Sequence, residues 1–123
     1  MINTPKTKRS IDMSQGIFHV HFRSSIGDHG EGLVVVTDGH VNGGDQHFLY
    51  QGVLPTSSGA VATQITVSKW RAGNTSVVRI DNYLLDTTGH VDYENGALHL
   101  KGVVTGHPNL TINIEGRKVA DAV

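Results

Sequence analysis

GEGLVVVTDGHVNGGDQHFLYQGVL, residues 30–54, carries the pattern that decides the fold. Leu33, Val34, Val35 and Val36 form an apolar, mostly β-branched run, and the Asp38-Gly39 pair behind it suits the positive φ angles of a tight hairpin turn. His40 and Val41 resume an extended segment before Asn42-Gly43-Gly44-Asp45, where glycine removes the Cβ penalty for unusual backbone angles and a second reversal is expected. Residues 47–54 supply another aromatic and aliphatic strand, ended by Pro55, which cannot donate to a ladder. Three short strands therefore meander within this window.

The flanking sequence extends the same architecture. Residues 16–23 alternate, with Phe18, Val20 and Phe22 toward a core and His19, His21 and Arg23 outward. After a turn at 24–29 and the central window, residues 61–70 read as a fifth strand with Val61, Thr63, Ile65 and Val67 on one face and Trp70 on the other. Residues 77–85 are expected as a sixth strand, with Val78, Ile80 and Leu84 inward and Asn82 awkwardly sharing their face, followed by a turn-rich stretch at 86–95. Residues 97–105, with Leu98, Leu100 and Val103 buried and a bend at Gly102, give a seventh strand, and 110–115 an eighth. No window has a convincing helical period.

Eight short strands joined by mostly short turns either close on themselves or stack as two sheets, because open edges invite aggregation. An all-β, eight-stranded antiparallel up-and-down barrel is the economical solution. A polar arm at 1–14, a single barrel domain at 15–118 and a tail at 119–123 complete the expected organisation. Phe18, Phe22, Leu33, Leu49 and Ile65 are expected to line the interior, which in a barrel of this size is either filled by side chains or holds one small ligand.

Composition narrows the function classes. With 37% hydrophobic and 17% charged residues, the 123-residue chain suits one soluble globular domain. It has no apolar run of membrane-spanning length and no secretory leader, so a cytoplasmic location and no membrane partner are expected. The absence of cysteine removes disulfides, thiolate nucleophiles and thiolate metal sites. A net charge of −1 provides no general field for a polyanion, so no direct nucleic-acid partner is indicated; Lys6, Lys8 and Arg9 in the arm read as a solvated tail.

The order GEG, DGHVNGGD, YQGVL resembles the GrlR family, negative regulators of type III secretion. The residues that carry the resemblance are Gly30, Glu31, Gly32, Gly43, Gly44, Asp45, Tyr50, Gln51 and Gly52, and it extends more loosely over Gly16-Ile17-Phe18 and the late strand at 97–104. It implies a flattened, calycin-like barrel that is homodimeric, non-enzymatic and without cofactor, and that represses by binding a protein partner, a transcriptional activator. The family begins close to its first strand, so residues 1–12 read as an extension. The sequence departs from the family where an acidic run is expected after YQGVL: Pro55-Thr56-Ser57-Ser58-Gly59 stands there, without the carboxylates that would pair with a basic activator.

The residues themselves offer little chemistry. No serine sits in a nucleophile elbow, and Gly43-Gly44-Asp45 is not followed by the Lys-Ser/Thr or helix start of a phosphate cradle. His19, His21 and His99 share an outward phase that could gather zinc, yet outward positions of a sheet are expected to be polar, so no metal site is assigned. Asp45 and its neighbours read as ordinary turn residues, with Gly52 allowing close backbone approach and Tyr50 packing and hydrogen-bonding through its hydroxyl. Trp70 beside Arg71 is a pairing enriched at interfaces and is the candidate partner contact. Two functions remain open: a partner-binding regulatory barrel, or a lipocalin-like carrier or sensor of a small hydrophobic ligand.

Overall fold

The computed structural model describes residues 14–123, so the expected arm lies outside the described residues except for Ser14, which is buried and accepts the Gly39 N–H through its carbonyl. Eight antiparallel strands follow in chain order: β1 (Gln15–Ser24), β2 (His29–Thr37), β3 (His40–Gly44), β4 (Phe48–Val53), β5 (Gly59–Lys69), β6 (Asn82–Asp92), β7 (Ala97–Val104) and β8 (His107–Ala120). Each pairs with the next, and β1 pairs with β8, closing the barrel. Among the described residues no helix is long and apolar enough to cross a membrane.

The central window folds as its turn chemistry dictates. Asp38 and Gly39 adopt φ of 50° and 78°, the left-handed pair that a two-residue hairpin between right-twisted strands requires. Phe18 and Val20 of β1 point inward, as do Val34 and Val36 of β2, Phe48 and Tyr50 of β4, and Val61, Ile65 and Val67 of β5.

Inward glycines alternate with large side chains, as a small barrel needs if its interior is to be filled without clash. A Cβ on Gly32 would stand 2.7 Å from the Gly44 carbonyl oxygen and 3.0 Å from the Tyr50 ring, and one on Gly30 would stand 2.9 Å from the Phe22 ring. The two aromatic rings seated over these glycines meet edge-on, 5.2 Å apart at 81°. Gly52 opens the same kind of space for Ile65, and Gly102 for Leu85.

Two expectations about the second half of the chain are corrected. The sixth strand is Asn82–Asp92 rather than 77–85, so the polar stretch after Leu85 is mostly strand. Its phase is also reversed: Leu85 and Thr87 are buried, while Leu84 and Asn82 face out, which removes the difficulty of an inward asparagine. Val78 is buried from the β5–β6 connection, where Arg79 takes φ 64° and breaks the extended backbone that a strand would need. At Gly102 the inward phase continues unbroken from Leu98 and Leu100 to Val104, and the irregularity falls between Val103 and Val104.

Candidate functional site

Up-and-down connectivity gathers the β1–β2, β3–β4, β5–β6 and β7–β8 connections at one end of the barrel. Asp45 and Tyr50 of the motif and Trp70 meet there. Asp45 Oδ1 accepts the backbone N–H groups of His47 and Phe48 at 2.9 and 2.8 Å, and Oδ2 accepts the Tyr50 hydroxyl. The first two bonds close the β3–β4 turn, and the third ties that turn to the barrel interior. Asp45, expected to be an ordinary turn residue, thus links the NGGD and YQG segments.

The connection at 70–81 folds across this end. Ser76 Oγ donates to the Ile80 carbonyl at 2.7 Å and accepts the Ile80 N–H at 3.0 Å, closing a compact loop that drives Ser76 and Val78 into the barrel. Arg79 Nε lies 3.2 Å from Asp28 Oδ2, fastening the loop to the β1–β2 turn through a largely exposed pair. Beneath it, burial pushes the Tyr83 phenol up to about 12, an effect that its hydrogen bond with Ser76 opposes and the charge of Asp45 reinforces. Burial first, and then the bond to Asp45, pushes the Tyr50 phenol further above its ordinary range.

Below the loop lies a cavity of about 140 Å³. Its wall is mostly aliphatic, and Asp45, Tyr50, Ser76 and Tyr83 supply polar atoms. His29, Asn74 and Thr75 are exposed members of the lining and mark the side where it reaches the surface.

Of the residues expected inside, Phe22 and Ile65 line this cavity, and Phe18 is buried in the core but does not line it. Leu33 and Leu49 are not interior: they are 51% and 40% exposed on the outer wall. Register explains the error. Leu33 pairs with Gly44 and Gly44 with Leu49, so these three share the outward face while Val34 and Val36 take the inward one. In a run apolar at four successive positions, alternation gives no sign of which phase faces the core.

Trp70 is 51% exposed and anchored. Its Nε1 donates to the Asp45 carbonyl at 3.2 Å, its backbone N–H donates to the His47 carbonyl at 2.9 Å, and the Arg71 guanidinium lies 5.9 Å from the ring centroid. Glu31 and Gln51 face outward, with Glu31 2.7 Å from His19 and Gln51 donating to Asn42 at 3.0 Å. His21 lies against His29, and His99 stands opposite His90; among the described residues no three His or acidic side chains converge on a metal-sized site. Ser76 and Tyr83 were missed by sequence reasoning, since neither belongs to a motif and the loop that joins them looked like strand.

The family model described as the T3SS negative regulator GrlR matches residues 13–122, nearly the whole chain. The chain belongs to the GrlR family. A comparison with curated proteins finds no match. The match spans all eight strands, and so covers the GrlR motif and the second half of the barrel alike.

The stretch where the family's acidic run is expected lies at the opposite end from Trp70. Tyr93 Oη donates to the Pro55 carbonyl at 2.5 Å, and Ser58 Oγ accepts the Tyr93 N–H at 2.9 Å, which holds this neutral connection against the β6–β7 turn.

Proposed function

We propose that this GrlR-family chain is a cytoplasmic, non-enzymatic regulator that works as a homodimer and represses by holding a protein partner, itself a transcriptional regulator, at the Trp70 end of the barrel. The observation that carries this reading is the anchored, half-exposed indole of Trp70, with Arg71 beside it. A tryptophan whose orientation is already held loses little freedom on binding and offers a large apolar surface to a partner's pocket. The neutral residues at 55–59 weaken any case for a carboxylate-mediated grip at the other end.

Self-association is assigned to the outer wall of β2 to β4. Leu33 and Val35 on β2 and Leu49 and Val53 on β4 are all exposed, and between the two leucines β3 presents only Gly44. Exposed aliphatic side chains grouped on one wall of a small barrel favour burial against a second copy.

Light scattering with native mass spectrometry tests the dimer: wild type is expected as a dimer and Leu33→Glu/Leu49→Glu as a monomer, whereas a wild-type monomer rejects this assignment. Pull-downs from native cells test the contact. Wild type should recover a transcriptional regulator that Trp70→Ala loses; equal recovery by both would remove Trp70 from the interface.

A further inference from the structure

The cavity has a size and a polarity that select a ligand class. At about 140 Å³ it is close to an engineered apolar cavity of roughly 150 Å³ that accepts benzene, and well below the roughly 300–1,000 Å³ of sites for drug-sized molecules. A long acyl chain does not fit this space, whereas one small ring system does.

The polar end restricts the choice further. A carboxylate offers about four acceptor positions, and described residues occupy three on Asp45: two N–H groups on Oδ1 and the Tyr50 hydroxyl on Oδ2. One position on Oδ2 is left for a donor. Among the described residues lining the cavity there is no lysine or arginine, and His29 stands at the exposed rim, so an anionic ligand would bring its charge toward Asp45 without a fixed cation to offset it. Tyr83 and Ser76 line the same space, but the Ser76 hydroxyl is already taken by Ile80, so Asp45 is the acceptor offered to a ligand.

We propose that the barrel interior binds a small aromatic molecule carrying a neutral hydrogen-bond donor, of the phenol or indole class, its ring among Val20, Val34, Ile65, Val67 and Leu100 and its donor directed at the Asp45–Tyr50 pair. Trp70 opens the 70–81 loop, and residues 74–77 of the same loop line the cavity, so occupancy acts beside the proposed partner surface. The binding claim is independent of the proposed regulatory role.

Titration of the full ¹⁵N-labelled chain with indole, phenol, toluene and benzoate tests it, the readout being backbone shifts of Gly30, Asp45 and Val67. Saturable shifts with indole or phenol are expected, with toluene and benzoate at least about tenfold weaker. Val67→Phe, confirmed as folded by circular dichroism, should lose the response because its larger ring fills the cavity. No saturable shift with indole or phenol, binding of benzoate or toluene as tight as indole, or undiminished binding by folded Val67→Phe would each overturn the proposal. Should Val67→Phe not fold, the order of the four probes on wild type decides alone.

Discussion

The Tyr50 hydroxyl donates to the Asp45 carboxylate across the β3–β4 turn, so the residue that closes the turn also holds the ring that packs inside it. Tyr50→Phe removes this donor while leaving the ring in place. Losing a hydrogen bond to a partly buried carboxylate is expected to destabilise the fold by about 1–3 kcal/mol, read as a lower urea midpoint with an unchanged m-value. Gln51→Ala, which removes an exposed amide bonded to Asn42, should stay within about 0.5 kcal/mol of wild type.

The motif glycines differ in what they protect. A Cβ at Gly32 meets backbone, the Gly44 carbonyl oxygen at 2.7 Å, and cannot be accommodated by turning a side chain. Gly32→Ala is therefore expected to cost about 1–3 kcal/mol in denaturant unfolding. At Gly30 the close atoms belong to the side chains of Phe22 and Val77, so Gly30→Ala should cost less and reduce the cavity instead.

Alkaline pH should weaken the barrel. The Tyr83 phenol, at 10.0 in an unfolded chain, is pushed up to about 12 chiefly by burial, so the folded state holds its proton more tightly. The corresponding stability is present in full below pH 10 and is lost as pH rises through about 12. Urea unfolding below and above pH 10 should show the decline, and Tyr83→Phe should make it shallower. Tyr50 and Tyr93, also raised by burial, add to the trend in the same direction.

Val78 is the part of the β5–β6 connection most enclosed by the barrel. Val78→Ala should destabilise by on the order of 2 kcal/mol through lost burial and the void left behind. It should also speed amide exchange at residues 74–81 more than in the β7–β8 pair, since that loop depends on few other buried apolar contacts. Uniform acceleration across all strands would instead make the loop part of the global unfolding unit.

Much of the fold was legible from local pattern. Phe18, Val20 and Phe22 alternate with polar residues, and Asp38-Gly39 is a turn pair with a backbone reason, so β1 and the β2–β3 hairpin follow from residues close in the chain. The sixth strand did not, because Val78 and Ile80 alternate as strand residues do while serving in a loop that covers the barrel end. Nothing within that short segment separates burial in a sheet from burial under one.

The candidate site was legible only as separate pieces. Tyr50 and Gly52 could be given structural roles, and Trp70 an outward phase, yet the meeting of Tyr50 and Trp70 at Asp45 depends on how β4 pairs with β3 and β5, which none of these residues shows singly.

By itself, the sequence determined an all-β chain of eight strands, because alternating polarity and turn residues act over a few positions and leave no amphipathic helix as a competitor. Tertiary structure alone decided that Leu33 and Leu49 face outward, that residues 70–81 cross the barrel end, and that Asp45 joins Tyr50 to Trp70. Register across β2, β3 and β4 chooses a face only once the partner strands are paired, and Asp45 meets Tyr50 and Trp70 only once β4 has paired with both β3 and β5.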